Sequence, residues 1–148
     1  MKKNIILTVA MLAAISMAAC HKDEKKVIEF SELPQTAQTF VQTHFADKQV
    51  AIVYYDKEIA KSEYEVRFTD GANIDFKKNG DWIEVEDRDT DGVPTAIIPD
   101  AINIYVATHH TNQYVVQIGK ERNGYEVELN SAIELLFNGE GAFVRYDD

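Results

Sequence analysis

Tyr64-Glu65-Val66-Arg67-Phe68 returns 61 residues later as Tyr125-Glu126-Val127-Glu128-Leu129. Both stretches alternate apolar and charged residues, which is the period of a strand with one face on a core and one in water. The similarity extends outward, because positions 34–56 align with 99–121 and positions 64–87 align with 125–148. A long period that occurs twice indicates a duplicated supersecondary unit within one domain.

Each copy opens with a helical pattern. Ser31 is a predicted N-cap and Pro34 suits the first turn, and Pro99-Asp100 opens the second copy in the same way. Apolar or aromatic residues and histidines then recur at helical spacing, at Ala37, Phe40, Val41, His44 and Phe45 in the first copy and at Ile102, Tyr105, Val106, His109 and His110 in the second. Helices of about three turns depend on packing for their stability.

Four strand patterns follow each helix. They cover residues 50–55, 64–68, 73–77 and 82–86 in the first copy, and 114–118, 125–129, 133–137 and 143–146 in the second. Asp70-Gly71 and Asn79-Gly80 are dipeptides typical of hairpin turns. The prediction is an α+β fold with helices on one face of the sheet. It consists of a unit at 31–88, a linker at 89–97 and a unit at 98–148, each unit being a helix plus four antiparallel strands.

Residues 1–20 have the pattern of a signal peptide. Lys2 and Lys3 precede an apolar segment at 5–15, which is too short to span a bilayer. Met17-Ala18-Ala19-Cys20 resembles a bacterial lipobox, so Cys20 is the predicted lipidation site and residues 21–30 a tether. The alternative is an ordinary secretory peptide with an incidental cysteine. The predicted location is the cell envelope, as a lipid-anchored periplasmic protein or a surface-exposed outer-membrane lipoprotein.

Composition restricts the partners. Cys20 is the only cysteine, so no intramolecular disulfide can form. The formal net charge is −10 and becomes −12 without Lys2 and Lys3, which argues against nucleic acid or anionic lipid headgroups as partners. Contact with the membrane is therefore expected through the lipid anchor alone.

Strict alternation assigns side chains to the two faces of the sheet. It directs Tyr64, Val66, Phe68, Ile74, Phe76, Ile83 and Val85 toward the helices. It directs Glu65, Arg67, Asp75, Lys77, Trp82, Glu84 and Glu86 toward water, and in the second copy Phe143 falls among Glu126, Glu128, Arg145 and Asp147. An aromatic residue among charges is a candidate binding hot spot. The predicted partner-binding residues are Trp82, Phe143, Arg67, Glu84, Glu86 and Arg145. The alternative is that the two aromatic residues cover a sheet edge or the seam between the units.

The strongest metal motif is Asp87-Arg88-Asp89-Thr90-Asp91-Gly92, which matches the opening of a calcium loop. The bidentate acid expected at loop position twelve falls on Ile98, so Asp87, Asp89 and Asp91 are a weak calcium candidate, and an acidic linker is the alternative. The histidines lack the spacing of a zinc site. No other cofactor is predicted.

Nothing in the sequence predicts catalysis. Ser31, Ser62 and Ser131 lie in cap or turn contexts outside any nucleophile elbow. The cysteine is assigned to lipid, and the chain has no glycine-rich phosphate loop. The sequence therefore predicts a protein that is not an enzyme.

The motifs Phe76-x-x-x-Gly80-x-Trp82 and Phe137-x-x-x-Gly141-x-Phe143, together with the Pro-initiated helices, resemble the PepSY-like, beta-lactamase-inhibitor-like family of exported bacterial proteins. The resemblance implies that the sheets of the two units join into one curved surface with the helices behind it. Beta-lactamase inhibitor proteins clamp an enzyme with such a surface. The family has no established catalytic residues.

These observations favour a non-catalytic, envelope-anchored binding module that presents a curved sheet to a protein or peptide partner. One alternative is an inhibitor of a secreted hydrolase or beta-lactamase. Another is a calcium-dependent interaction module or a small enzyme.

Overall fold

One antiparallel sheet organises the molecule, whose computed structural model describes residues 25–57 and 64–147. The helices are α1 (Gln35–His44) and α2 (Asp100–His109), and a 3-10 turn covers Phe30–Glu32. The strands are β1 (Lys26–Ile28), β2 (Val50–Tyr55), β3 (Tyr64–Phe68), β4 (Asn73–Phe76), β5 (Trp82–Glu86), β6 (Val115–Glu121), β7 (Gly124–Leu129), β8 (Glu134–Asn138) and β9 (Phe143–Asp147). All nine strands form one open sheet in sequence order, which confirms the α+β prediction.

The core lies between this sheet and the two helices. One row of residues, each opposite the next, crosses seven strands and is at most 3% exposed: Val53, Val66, Ile74, Val85, Ile118, Val127 and Leu135. On the same face the ring of Phe76 meets Phe40 of α1 at 5.7 Å, and the ring of Phe137 meets Tyr105 of α2 at 5.4 Å. Each such buried side chain contributes roughly 1.5–3 kcal/mol, so packing on the sheet stabilises both short helices.

The start of the domain differs from the sequence prediction. Lys26–Ile28, which was assigned to the tether, pairs with Val53–Tyr55 as β1. Three residues are too few to show a strand period. Ser31 lies in the 3-10 turn, and the N-cap of α1 is Pro34, whose carbonyl accepts a hydrogen bond from the Gln38 N–H at 3.1 Å.

A β-bulge in β5 and another in β9 alter the predicted faces. The register shifts so that Trp82 lies opposite Phe76 and Phe143 lies opposite Phe137, on the helix side. The Trp82 ring is 6.3 Å from Phe40, and the Phe143 ring stacks on Tyr105 at 4.6 Å. The prediction that these two aromatic residues face water is wrong, because one extra residue in a strand reverses the alternation.

The extra residues are Ile83 and Val144. Ile83 was predicted to face the helices, but it is the residue that the bulge inserts between Trp82 and Glu84. Val144 is 57% exposed. In β9 the bulge therefore leaves the aliphatic Val144 exposed, while the aromatic Phe143 packs on the helix side.

The glycine of each predicted motif is explained by helix packing. Gly80 has φ +87°, and a Cβ there would lie 2.9 Å from the backbone nitrogen of Ala37 in α1. Gly141 has φ +78°, and its Cβ would lie 3.0 Å from the Cβ of Ala101 in α2. The turn before each bulged strand thus lies directly against the first turn of a helix.

The predicted linker at 89–97 packs on the sheet. Val93 is 2% exposed and its N–H donates to the Val115 carbonyl at 2.9 Å, and Ile97 is 8% exposed. Within the described residues, no helix has the length and apolar character needed to cross a bilayer.

Candidate functional site

The sheet face opposite the helices is strongly acidic, and we call it the acidic face. Two rows of residues cross it, each residue opposite the next. One row is Glu65, Asp75, Glu84, Gly119, Glu126, Leu136 and Arg145, and the other is Arg67, Asn73, Glu86, Gln117, Glu128, Glu134 and Asp147. Like charges directly opposite one another on a sheet are destabilising. The face therefore carries an electrostatic cost that a cation would relieve.

Glu65 and Glu128 are two of the carboxylates on this face that pair with basic side chains of the protein. Glu65 accepts hydrogen bonds from Lys25 Nζ and Arg67 Nε, both at 2.5 Å. Burial alone raises the pKa of Glu65, but these two cations outweigh burial, and the net pKa is lowered. Arg88 donates to both oxygens of Glu128 at 2.8 and 2.7 Å, and these bonds lower the pKa of Glu128.

At the centre of the acidic face the carboxylates have raised, not lowered, pKa values. Burial, followed by the charge of Glu65, raises the pKa of Asp75. Burial, followed by the charges of Asp75 and Glu86, raises the pKa of Glu84. Glu84 accepts a hydrogen bond from the Gln117 amide at 3.0 Å, a neutral donor that leaves its charge in place. A raised pKa means that the ionised form is disfavoured where it stands, so the centre of the face is suited to a cationic ligand.

Gly119 opens a notch at this centre. It lies between Glu84 and Glu126 and has no side chain to separate them. The resulting pocket has a volume of about 70 Å³ and is also lined by Gln117, Glu121, Glu128 and Glu134. The aligned residue in the first half is Tyr54, which lies opposite Glu65 with the Arg67 guanidinium 5.3 Å from its ring. The first half thus fills a position that the second half leaves open.

A group of three carboxylates lies near the β9 end of the acidic face. Ligand oxygens of Glu126, Glu134 and Asp147 are all within 4.8 Å of one another, and among the described residues this is the group able to hold a metal ion. Carboxylate oxygens are the ligands that Ca²⁺ prefers. Sequence reasoning placed Glu126 and Asp147 on this face but did not identify the group, which the pairing of β7, β8 and β9 creates.

The predicted partner-binding residues divide between the two faces. Arg67, Glu84, Glu86 and Arg145 lie on the acidic face, where Arg67 pairs with Glu65, Glu86 with Arg88, and Arg145 with Asp147 at 2.8 Å. Their role in binding stays a prediction. Trp82 and Phe143 lie on the helix face, and the ammonium of Lys120 is 3.7 Å from the centre of the Trp82 ring. This arrangement agrees with the alternative that Trp82 covers the seam between β5 and β6.

At the weak calcium candidate, the ammonium group of Lys48 already pairs with Asp87. Asp87 is 2% exposed and lies 3.0 Å from Lys48 Nζ, which is also 2.5 Å from Asp70 and 3.9 Å from Asp89. Asp91 is exposed. A calcium ion at Asp87 would have to displace the Lys48 ammonium. The local motif gave no sign of Lys48, which is distant in sequence. The lipidation candidate Cys20 lies outside the described residues.

Residues 62–145 match the family described as "Putative beta-lactamase-inhibitor-like, PepSY-like". The chain belongs to this family. The resemblance inferred from the motifs is thereby confirmed, and the family description indicates no catalytic activity. No curated protein matches the chain.

Solved structures of Bacteroides proteins are similar to this chain. A "putative calcium-regulated periplasmic protein" from Bacteroides thetaiotaomicron is 37% identical with a TM-score of 0.79, over 84% of this chain and 97% of its own. A "putative periplasmic protein from DUF2874 family" of Bacteroides vulgatus is 37% identical with a TM-score of 0.78, over 85% of this chain and 98% of its own. A "putative periplasmic protein of unknown function" from Bacteroides vulgatus is 29% identical with a TM-score of 0.77, over 84% of this chain and 100% of its own. All three structural relatives are thus described as periplasmic.

Proposed function

We propose that this PepSY-like chain is a non-catalytic, envelope-anchored binding module whose acidic face takes a cationic segment of a partner protein or peptide. The observation that carries the proposal is the centre of the face, where Asp75 and Glu84 are opposite one another beside the Gly119 notch. Burial, and after it the charges of neighbouring carboxylates, raises the pKa of both groups and so disfavours their ionised forms. A bound ammonium or guanidinium group would balance their negative charge.

The chain provides its own example of such an interaction. Lys25 lies on the acidic face with its ammonium 2.5 Å from Glu65 and 5.7 Å from the centre of the Tyr54 ring. Aromatic rings and carboxylates together suit an alkylammonium group, since the ring attracts the cation and packs on its methylenes. The formal net charge of −10 would also steer a basic partner toward the protein.

The geometry offers no support for the enzyme alternative. Ser131 Oγ donates to the side-chain oxygen of Gln113, an amide that cannot serve as a general base. Ser31 lies in an exposed turn. The pocket on the acidic face is lined by glutamates, Gln117 and Gly119, and no serine, cysteine or histidine is among these described lining residues.

The test is titration with a short Lys- and Arg-rich peptide, with a glutamine-substituted peptide of equal length as the ligand control. Glu84→Gln together with Glu126→Gln should weaken binding by about tenfold, because two charges at the centre of the site are lost. The matched protein control is Asp47→Asn with Glu140→Gln, which removes the same charge from exposed turns. Equal weakening by both double variants would contradict a defined site.

Anchoring in the envelope is the second element of the proposal. It rests on the lipobox that ends at Cys20 and is supported by the periplasmic location of the structural relatives. Cys20→Ser should release a soluble protein and abolish labelling by a radioactive fatty acid. Protease treatment of intact cells then separates surface display from a periplasmic location. An unacylated wild-type protein would contradict the lipobox reading.

Calcium binding is the alternative that a specific observation favours. The oxygens of Glu126, Glu134 and Asp147 converge, and one structural relative is described as calcium-regulated. A carboxylate site of this exposure would resemble extracellular calcium modules, which bind at about 10⁻⁴–10⁻³ M. Calorimetry should then show Ca²⁺ but not Mg²⁺ binding, with loss in Glu134→Gln and retention in Asp91→Asn. Inhibition of a secreted hydrolase or beta-lactamase rests on the family description, and stoichiometric inhibition assays test it.

We also propose that the two halves are tandem units of one helix and four strands. Bulges at corresponding places in β2 and β6, and in β5 and β9, support it, as do the glycines at 80 and 141. Position 45 of the first half aligns with position 110, where a buried His replaces a buried Phe. Because His110 Nε2 is buried without a hydrogen-bond partner, His110→Phe should raise the free energy of unfolding by about 1 kcal/mol. A loss of stability would argue that the two positions are not equivalent.

A further inference from the structure

The two edges of the sheet differ in how well they are protected. β1 is only three residues long, begins at Lys26 and is followed by a 3-10 turn. β9 is five residues long, and its Val144 and Tyr146 are 57% and 48% exposed. Within the described residues no strand covers the outer side of β9. Short charged strands resist further pairing, whereas longer strands with apolar residues invite it.

β5 is the counterpart of β9 in the first half, and its second neighbour shows how another strand could pair with β9. β5 pairs with β4 in the same bulged register that β9 has with β8, with Trp82 and Phe143 in matching places. On its other side β5 pairs with β6 through Glu84, Val85 and Glu86. The matching positions of β9 are Arg145, Tyr146 and Asp147. Val85 is fully buried, whereas Tyr146 is half exposed because its strand lacks that neighbour.

The side chains at these three positions define the strand that would fit. An antiparallel strand centred on Tyr146 needs an acid opposite Arg145, an apolar or aromatic residue opposite Tyr146 and a base opposite Asp147. Read in the antiparallel direction, Arg145-Tyr146-Asp147 is that sequence. The segment is its own complement in both charge and aromatic character.

We propose that β9 pairs with β9 of a second copy of this chain, antiparallel and centred on Tyr146, to make one continuous sheet across a twofold axis. Each Arg145 then lies opposite the second copy's aspartate at position 147, and the two tyrosines at position 146 face one another. Such an interface is isologous, since the same residues contribute on both sides.

The acidic face supports this occupant over an unrelated strand. Asp147 belongs to the group with Glu126 and Glu134, which concentrates negative charge at the β9 end. Arg145 of the same chain lies 2.8 Å from Asp147 and is a positive charge at this place. The arginine of the second copy would bring another to the same place. The pairing involves only three residues of a strand edge, so the dimer should be weak, with a dissociation constant of about 0.1–1 mM.

The test is sedimentation equilibrium of the soluble Cys20→Ser chain at increasing concentration in moderate salt. Arg145→Asp should weaken dimerisation about tenfold or more, because both opposite pairs become two acids. Asp147→Arg should do the same by making both pairs two arginines. Mixing the two variants should restore association as a heterodimer, and the double variant Arg145→Asp/Asp147→Arg should dimerise like the parent.

Each outcome decides the proposal. A parent chain that stays monomeric to 1 mM, or single variants that dimerise normally, would overturn it. Failure of the mixture and of the double variant to recover would assign the dimer to another surface. Circular dichroism and melting temperature confirm that the exposed substitutions leave the fold intact. None of these results depends on whether the acidic face binds a basic partner.

Discussion

Removal of the Lys48 ammonium should destabilise the PepSY-like domain strongly. Its partner Asp87 has a side chain only 4% exposed, and the two are 3.0 Å apart. Breaking a buried ion pair by removing one partner costs roughly 3–5 kcal/mol. Lys48 itself is 14% exposed and Asp70 is 33% exposed, so water reaches part of the cluster. Lys48→Met should therefore lower the free energy of unfolding by about 2–3 kcal/mol, or Tm by roughly 10 °C.

Two further variants make this prediction specific. Asp87→Asn added to Lys48→Met should recover about 1 kcal/mol, because a neutral amide no longer leaves a buried charge unpaired. Lys78→Met, at an exposed turn position, should change stability by less than about 0.5 kcal/mol. Urea unfolding at pH 7 measures all of them. A loss below 1 kcal/mol in Lys48→Met, or no recovery in the double variant, would refute the account of a cation that neutralises Asp87.

Three other variants test the fold and the charge balance. Glu84→Gln should stabilise the domain by about 0.5 kcal/mol at pH 7. Because the pKa of Glu84 is raised in the folded protein, this gain should disappear as the pH falls toward 4.5, the ordinary pKa of a glutamate. Urea unfolding from pH 4 to 8 measures the gain. Trp82→Ala should lower the free energy of unfolding by about 2 kcal/mol because the ring packs on Phe40. An unchanged Tm would indicate that Trp82 lies on the outer face. Gly80→Ala should lower the free energy of unfolding more than Gly71→Ala does. Both glycines have a positive φ, but only a Cβ at Gly80 would meet backbone of α1. Equal losses in the two variants would contradict the packing of Gly80 against the helix.

The fold was predictable because its signals are local. The alternation in β3 and β7, the turn dipeptides and the proline before each helix each favour one element, and their order favours α+β. The sequence did not predict the bulges, because one inserted residue leaves composition and average period unchanged while it reverses the faces. The signal that was available is the aromatic residue two positions after Gly80 and Gly141, which marks a side chain needed on the helix side.

The site was harder to predict because its charges meet through register. The opposition of Asp75 and Glu84 follows from strand pairing, and the Lys48 cluster joins residues far apart in sequence. The alignment of Gly119 with Tyr54 was one usable signal in the sequence. It indicates that the second half lacks an aromatic ring at a position where the first half has one. The calcium motif gave no information on Lys48, because a local sequence pattern does not reveal a lysine that is distant in sequence and pairs with Asp87 in the fold.

Chemical-shift mapping tests the central claim most directly. The Cys20→Ser chain, labelled with ¹⁵N, is titrated with the Lys- and Arg-rich peptide at physiological ionic strength. The account predicts shifts centred on Glu84, Gly119 and Glu126 that saturate with the peptide and weaken with salt. Shifts confined to the helices, or spread evenly over every acidic residue of the surface, would contradict the assignment of the acidic face as the binding site.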